Sequence, residues 1–337
     1  MEEFSAFVGL SRPTVSKFFN DPSTLKETTR RRIEEALAAS GFNRNLLAAN
    51  LGRSRSSIVG VIVPDTADPF YAALTRRVQG MAQDAGFQAF VLSSDGDMAK
   101  EAQAVRTLSS MNVAGAVVAP LEAEADGSSD ALGRLETDIP LVYVDSAPAG
   151  PAAFVGTDNR RSFDLIVAHL LASGTPPVFL GMPAVNANAT ARRKAYDAAM
   201  RAQGLEPQHM PLPATGGWDF ERFGHEAMEM AIAEDRAAGR TVLCANDRLA
   251  FGALAAAWGA GLRVGGEAGC DLRIAGHDDH PLSRYTCPPL TTVAQDFDEI
   301  GRRAIEILLR RMNEGAPDDP SEDVVLLGAA VVQRRSA

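Results

Sequence analysis

The sequence predicts an α/β protein: a helix-turn-helix head and a hinge helix, followed by two doubly wound parallel-sheet subdomains. Three observations carry that expectation. From Ile58 onward, short Val/Ile/Leu runs alternate with amphipathic helical stretches, as in βαβ units whose parallel sheets are covered on both faces. About ten such runs occur, many for one open sheet and suited to two doubly wound halves. Ahead of Ile58 the chain holds only short helical segments, punctuated by glycine and carrying a basic excess.

In the head, Phe4, Phe7 and Val8 form an apolar patch that gives a first short helix. Gly9 supplies a turn without a Cβ penalty, Ser11 is a good N-cap, and Pro13 is tolerated in a first helical turn. Val15, Phe18 and Phe19 can face a small core, which turns Arg12, Thr14, Ser16, Lys17 and Asn20 outward. Two short helices across a glycine turn make a helix-turn-helix, whose second helix can enter a DNA major groove. Ile33 and Leu37 set the inner face of a third helix over 26–39, ended by Gly41. A short helical pattern follows at 43–52, then linker composition at 53–57.

The core reads as strands at 58–64, 89–95, 114–120, 139–145, 153–159, 177–183, 241–247, 272–279, 290–297 and 323–333. Helices are expected near 70–85, 99–111, 160–173, 190–203, 219–235, 248–259 and 298–313. Residues 1–43 are therefore the head, 44–57 the hinge helix and linker, and 58–337 the core. Within the core, about 58–156 and 291–319 form one subdomain, and about 157–290 and 320–337 the other.

Charge separates head from body. Residues 1–57 hold nine Lys/Arg and six Asp/Glu, a net of +3, and the remainder carries −13. A basic head on an acidic body confines phosphate contacts to the head. The three cysteines, Cys244, Cys270 and Cys287, are scattered and form no C-x-x-C, which suits a reducing compartment. No secretion signal and no apolar run of membrane-spanning length is present, so the expected location is the cytoplasm.

The residues resemble the LacI/GalR family of bacterial transcription regulators over essentially the whole chain. The head matches in GLSRPTVSKFFN, the linker in NRNLLAANL, and the body in VGVIVPDTADPFYAAL, VYVDS, CANDRLAFGAL, IAGHDD and PPLTTVAQDFDEIG. Each body motif is weak alone; their order and spacing together are specific. The resemblance implies a core with the periplasmic-sugar-binding fold, a homodimer, a palindromic operator and a small effector held between the lobes. Two departures stand out. The first helix begins almost at Met1, where family members carry several further residues including a cap. The hinge opens with Arg44-Asn45 rather than Pro-Asn.

By that resemblance, Arg12 and Pro13 open the recognition helix. Arg12 can bond guanine O6 and N7 together, Pro13 offers apolar contact, and Lys17 reaches a base or a phosphate. Ser11, Thr14, Ser16 and Asn20 are short and suit phosphates. Asn45, Ala48 and Leu51 of the hinge complete the DNA-binding set, with Leu51 as the apolar wedge in the minor groove.

Sugar sites combine aromatic faces with planar polar groups that pair neighbouring hydroxyls. Strand ends supply both kinds here: Asp68, Phe70, Tyr71, Asp145, Asn188, Arg192, Trp218, Asn246, Asp278 and Gln295. The resemblance implies that they line the cleft. Asp145, Arg192, Asn246 and Asp278 would grip hydroxyls, and Phe70 and Trp218 would wall the ring. Asp247 is expected to cap the following helix. Arg192 is the one cation the sequence places in the cleft, so a neutral sugar or polyol is preferred to a phosphosugar. His277-Asp278-Asp279-His280 could suggest a metal, but no third ligand cluster supports one. No cofactor is expected.

Two other classes fit the sequence less well. The core alone permits a sugar-transport receptor, which the basic head disfavours. A βαβ enzyme is disfavoured because G-x-G-x-x-G, Walker and G-x-S-x-G spacings are absent. The wedge is testable. Leu51→Ala is expected to weaken operator binding far more than binding to random DNA, read by fluorescence anisotropy on both; equal losses would refute it.

Overall fold

The computed structural model describes residues 2–20, 22–40, 42, 56–121, 129–148, 150–172, 175–317 and 319–337. The chain divides into two compact units, Met1–Ser56 and Ser57–Ala337.

The first unit contains α1 (Glu2–Val8), α2 (Arg12–Asn20) and α3 (Glu27–Ser40). Gly9 sits at φ +67, and the amides of Gly9 and Leu10 donate to the carbonyls of Ala6 and Ser5. These are the two bonds of a Schellman stop, which glycine enters without steric cost. Phe4, Val8, Val15, Phe18 and Ile33 form the core, and Phe4 stacks on Phe42 at 4.4 Å. Phe7, expected in the apolar patch, is 61% exposed. Phe4 and Val8 are four apart and share the inner face; Phe7 lies about 100° around the helix from Val8.

The second unit has two lobes. The first is built on a six-stranded parallel sheet, ordered β10-β5-β4-β3-β1-β2. Its strands are β1 (Ile58–Val63), β2 (Gln88–Ser93), β3 (Gly115–Val118), β4 (Leu141–Val144), β5 (Phe154–Thr157) and β10 (Val324–Leu327). Helices α4 (Pro69–Asp84), α5 (Met98–Ser110) and α6 (Ser129–Asp138) connect the early strands. The α6 helix was not legible in the sequence: its buried apolar anchors are only Leu132 and Leu135, too few to mark a period.

The second lobe carries the parallel sheet β6 (Pro177–Leu180), β7 (Thr241–Cys244) and β8 (Arg273–Ala275). An antiparallel pair, β9 (Thr292–Ala294) and β11 (Ala330–Val332), joins it through bridges from Thr291 to Ala275 and from Ala294 to Asp278. Helices α7 (Asn159–Ala172), α8 (Ala187–Ala202), α9 (Phe220–Ala233) and α10 (Asp247–Gly259) cover it. α11 (Phe297–Glu314) returns to the first lobe, where Ile300, Ala304, Ile305 and Leu308 join Val59, Val61 and Val142 in one core.

The chain thus crosses between lobes after β5, after β9 and after β10. This corrects the expected boundaries at 291 and 320. Residues 292–294 pair within the second lobe, while 324–327 complete the first sheet beside β5. The run 323–333 is two strands, not one. Gly328 lies between them, and the two halves pair with different sheets. Among the described residues no helix is long and apolar enough to cross a membrane.

α9 and α10 meet at two glycines. A Cβ on Gly252 would lie 1.9 Å from the Glu221 carbonyl oxygen, and one on Gly224 would lie 2.1 Å from that of Leu249. Backbone-to-backbone approach fixes these helices, so a methyl group must drive them apart. Gly252→Ala is expected to destabilise the core by about 1–3 kcal/mol, read by urea unfolding; a change below about 0.5 kcal/mol would contradict the packing.

Candidate functional site

A cleft open to solvent lies between the lobes and is lined by side chains of both. The structure brings all ten cleft residues expected from the sequence to its walls: Asp68, Phe70, Tyr71, Asp145, Asn188, Arg192, Trp218, Asn246, Asp278 and Gln295. Met182, Asn186, Phe220 and Arg248 also line it, beyond those the sequence predicts. Arg248 is a second cation in the wall, which corrects the expectation of Arg192 alone. Its signal was present in CANDRLAFGAL: a residue two after a strand-end Asn, on the first turn of a helix, faces the same cleft.

Local structure explains the placement. Asp68 caps α4, its Oδ1 accepting from the Phe70 amide at 2.9 Å, and so turns Phe70 and Tyr71 inward. Asp145 follows β4 at φ +63, a left-handed position that Asp tolerates. Asn246, not Asp247, caps α10 by accepting from the Leu249 amide at 2.8 Å. Asp247 is instead fully buried and takes bonds from the His280 amide, Ser283 Oγ and Thr292 Oγ1, tying α10 to the loop after β8.

Asp278 is the centre of the floor. Its Oδ1 accepts from Arg192 Nη2 at 3.0 Å and Gln295 Nε2 at 2.6 Å, and lies 3.0 Å from His277 Nδ1. It sits at φ +125, a strained position for a non-glycine residue. Gln295 in turn accepts from Thr157 Oγ1. Asp145 holds Tyr71 Oη on one oxygen and Asn188 Nδ2 on the other, both at 2.9 Å.

Ligand capacity is what these bonds leave unspent. Among the described residues, Arg192 Nε, Trp218 Nε1 and Asn186 Oδ1 are buried without a hydrogen-bond partner. Asp278 Oδ2 and Asn246 Nδ2 are likewise not used by the bonds above. Donors and acceptors of this kind, walled by Phe70, Tyr71, Trp218 and Phe220, suit a ring bearing hydroxyls.

His277 packs 5.2 Å from Phe163 and sits 2.9 Å from Ser162 Oγ through Nε2, while His280 Nδ1 accepts from the Leu282 amide. Both imidazoles are therefore engaged in structure. No group of His, Cys, Asp and Glu suited to a metal occurs among the described residues.

In the head, α2 presents Arg12, Pro13 and Lys17 to solvent, with Thr14 and Ser16 half-buried. Ser11 Oγ accepts from the Thr14 amide at 3.4 Å, and Arg12 pairs loosely with Glu2 at 3.6 Å. Asn20 ends α2. Asn45, Ala48 and Leu51 lie outside the described residues.

A two-lobed ligand-binding core joined to a helix-turn-helix head defines a ligand-responsive DNA-binding regulator. Residues 167–337 match the periplasmic binding protein-like domain, and the chain belongs to that family, as a DNA-binding transcription regulator of the LacI/GalR type rather than an enzyme. It is 27% identical to the ribose operon repressor of Escherichia coli over 318 residues, 93% of each chain. It is 26% identical to the repressor PurR of Aliivibrio fischeri over 325 residues, 93% and 92% of the two chains. The lac repressor dimer bound to operator and an anti-inducer superposes with a TM-score of 0.83 at 24% identity, over 99% and 97% of the two chains. A CelR–cellobiose complex gives 0.70 at 22%, over 100% and 99%.

Burial raises the carboxyls of Asp68 and Asp145 to about 6, against the pull of Arg248 on the first and Arg192 on the second. Burial likewise raises Glu101 and Asp247 to about 7. These four bind protons more tightly folded than unfolded, so stability rises as pH falls through the interval between each raised value and the ordinary one. His277, which burial holds down to about 4, and His280, also lowered by burial, act oppositely. The four carboxyls outnumber the two histidines, so calorimetry is expected to give a higher Tm at about pH 5.5 than at about pH 7.5; the reverse order would contradict it.

Proposed function

We propose that the core binds a neutral, hydroxyl-rich small molecule, a sugar or polyol, in the cavity between the lobes, and that this binding sets how firmly the heads hold DNA. The observation that carries the reading is the set of atoms left unspent around one cavity: Arg192 Nε, Asp278 Oδ2, Asn246 Nδ2, Asn186 Oδ1 and Trp218 Nε1. Arg248 adds a second cation, yet the class of ligand stays neutral. Its guanidinium is already matched by Glu221 and Asp68, and Asp145 and Asp278 add further negative charge. The relatives support the class: one is named for the ribose operon, and one solved neighbour holds cellobiose.

On the DNA side, α2 reads one half-site in the major groove through Arg12, Pro13 and Lys17, with Ser11, Thr14, Ser16 and Asn20 toward phosphates. Asn45, Ala48 and Leu51 act in the adjoining minor groove. One head reads one half-site, so a homodimer on a palindromic operator follows. The structural neighbour bound to operator is itself a dimer.

Coupling between effector and operator is reciprocal: whatever factor the effector changes DNA affinity by, DNA changes effector affinity by the same factor. A thermal-shift panel of monosaccharides, polyols, phosphosugars and nucleobases identifies the effector. Calorimetry with and without operator then measures the coupling. A neutral sugar or polyol is expected to bind and to show that reciprocity. A phosphosugar or nucleobase as the only ligand, or equal effector affinity with and without operator, would overturn the reading.

A further inference from the structure

The lobes meet across the cavity through few polar contacts. Asn188 Nδ2 donates to Asp145, and the Ala187 amide donates to Ser146 Oγ at 3.0 Å. Among the described residues, one contact is ionic. Arg248 Nη1, from the second lobe, lies 3.2 Å from Asp68 Oδ2, in the first. Both side chains are largely buried, 15% and 10% exposed.

Each half of this ion pair is held by its own lobe. Glu221 grips Arg248 with two parallel bonds of 2.7 Å, from Nε and Nη2, and Phe220 lies under the guanidinium at 5.1 Å. Bidentate pairing and ring contact fix the planar head of an arginine as they would not fix a lysine. Asp68 is oriented by its capping bond to the Phe70 amide. Neither partner must be ordered when the lobes meet, so little rotamer entropy opposes the contact. The geometry points to Arg248 as the residue that clasps the two lobes shut, with Glu221 as its positioning residue. The inference rests on the proposed cleft only in that the lobes can separate.

Trp218 reports closure. It packs against the hydrophobic cores of both lobes, its ring is 6.3 Å from Tyr71, and its side chain lies against Gly96 of the first lobe. The chain has one other tryptophan, Trp258, which is 78% exposed. In a Trp258→Phe parent, the indole signal is therefore that of Trp218 alone.

The experiment is acrylamide quenching of that parent, without any effector. Adding Arg248→Met is expected to raise the quenching constant by about threefold, and Glu221→Gln to raise it by less, because a loosened fork still carries its charge. Arg222→Met, which breaks an exposed pair with Glu226 on the same helix as Glu221, is expected to leave it unchanged. Asp68→Asn, which keeps the capping oxygen and removes the charge on the other side of the pair, is expected to raise it as well, and it tests the clasp even where Arg248→Met does not fold. Unchanged quenching in a folded Arg248→Met or Asp68→Asn, or an equal rise in Arg222→Met, would each overturn the clasp. None of these outcomes depends on which small molecule the cavity binds, so a failed clasp and a failed effector reading are separable.

Discussion

The carboxylate of Asp278 is the interaction on which the core depends. One of its oxygens receives Arg192 from α8 and Gln295 from the crossing after β9, and faces His277 beside it. Gln295 reaches on to Thr157 at the end of β5, so the same atom is linked to two of the three interlobe crossings. Burial pushes this carboxyl up, but Arg192 and His277 outweigh burial and hold it below the usual aspartate range. It remains a charge at neutral pH, in a place where an unpaired charge could not persist.

The same logic explains why the cavity walls look over-furnished. Most polar groups there already serve the protein: Asp68 and Asn246 cap helices, and Asp145 ties Tyr71 to Asn188 across the cleft. What remains for a ligand is a short set of donors and acceptors in a fixed pattern. Such a pattern discriminates well, because a ligand that cannot meet a buried polar atom leaves it unpaired. The close approach of α9 and α10 at Gly224 and Gly252 serves the same end, since those helices bring Phe220, Asn246 and Arg248 to one wall.

Much of this was legible in the sequence because local chemistry announces itself. Ser11, Gly9 and Pro13 mark a turn and a helix start whatever surrounds them, and strand-end Asp and Asn residues in βαβ units face the crevice by topology. The illegible parts are those with weak or shared signals. α6 has only two buried leucines to mark it. Phe7 and Phe4 look alike in a list, yet helical phase exposes one and buries the other. Asn246 and Asp247 are both good caps, and only the backbone decides that the first caps while the second anchors a buried network.

By itself, then, the sequence determined the α/β class, the head and the order of nearly every element, because these follow from periodicity and turn chemistry; the ten cleft residues came from the family resemblance of the motifs that carry them. The tertiary structure alone decided where the chain changes lobes, that Arg248 is a second cation in the cavity, and that its charge is matched from both sides. Those are facts about partners distant in the chain. Asp68 and Arg248 are separated by 180 positions and meet only when two sheets have formed. Val324–Leu327 and Ala330–Val332 read as one apolar run until each finds the edge that accepts it.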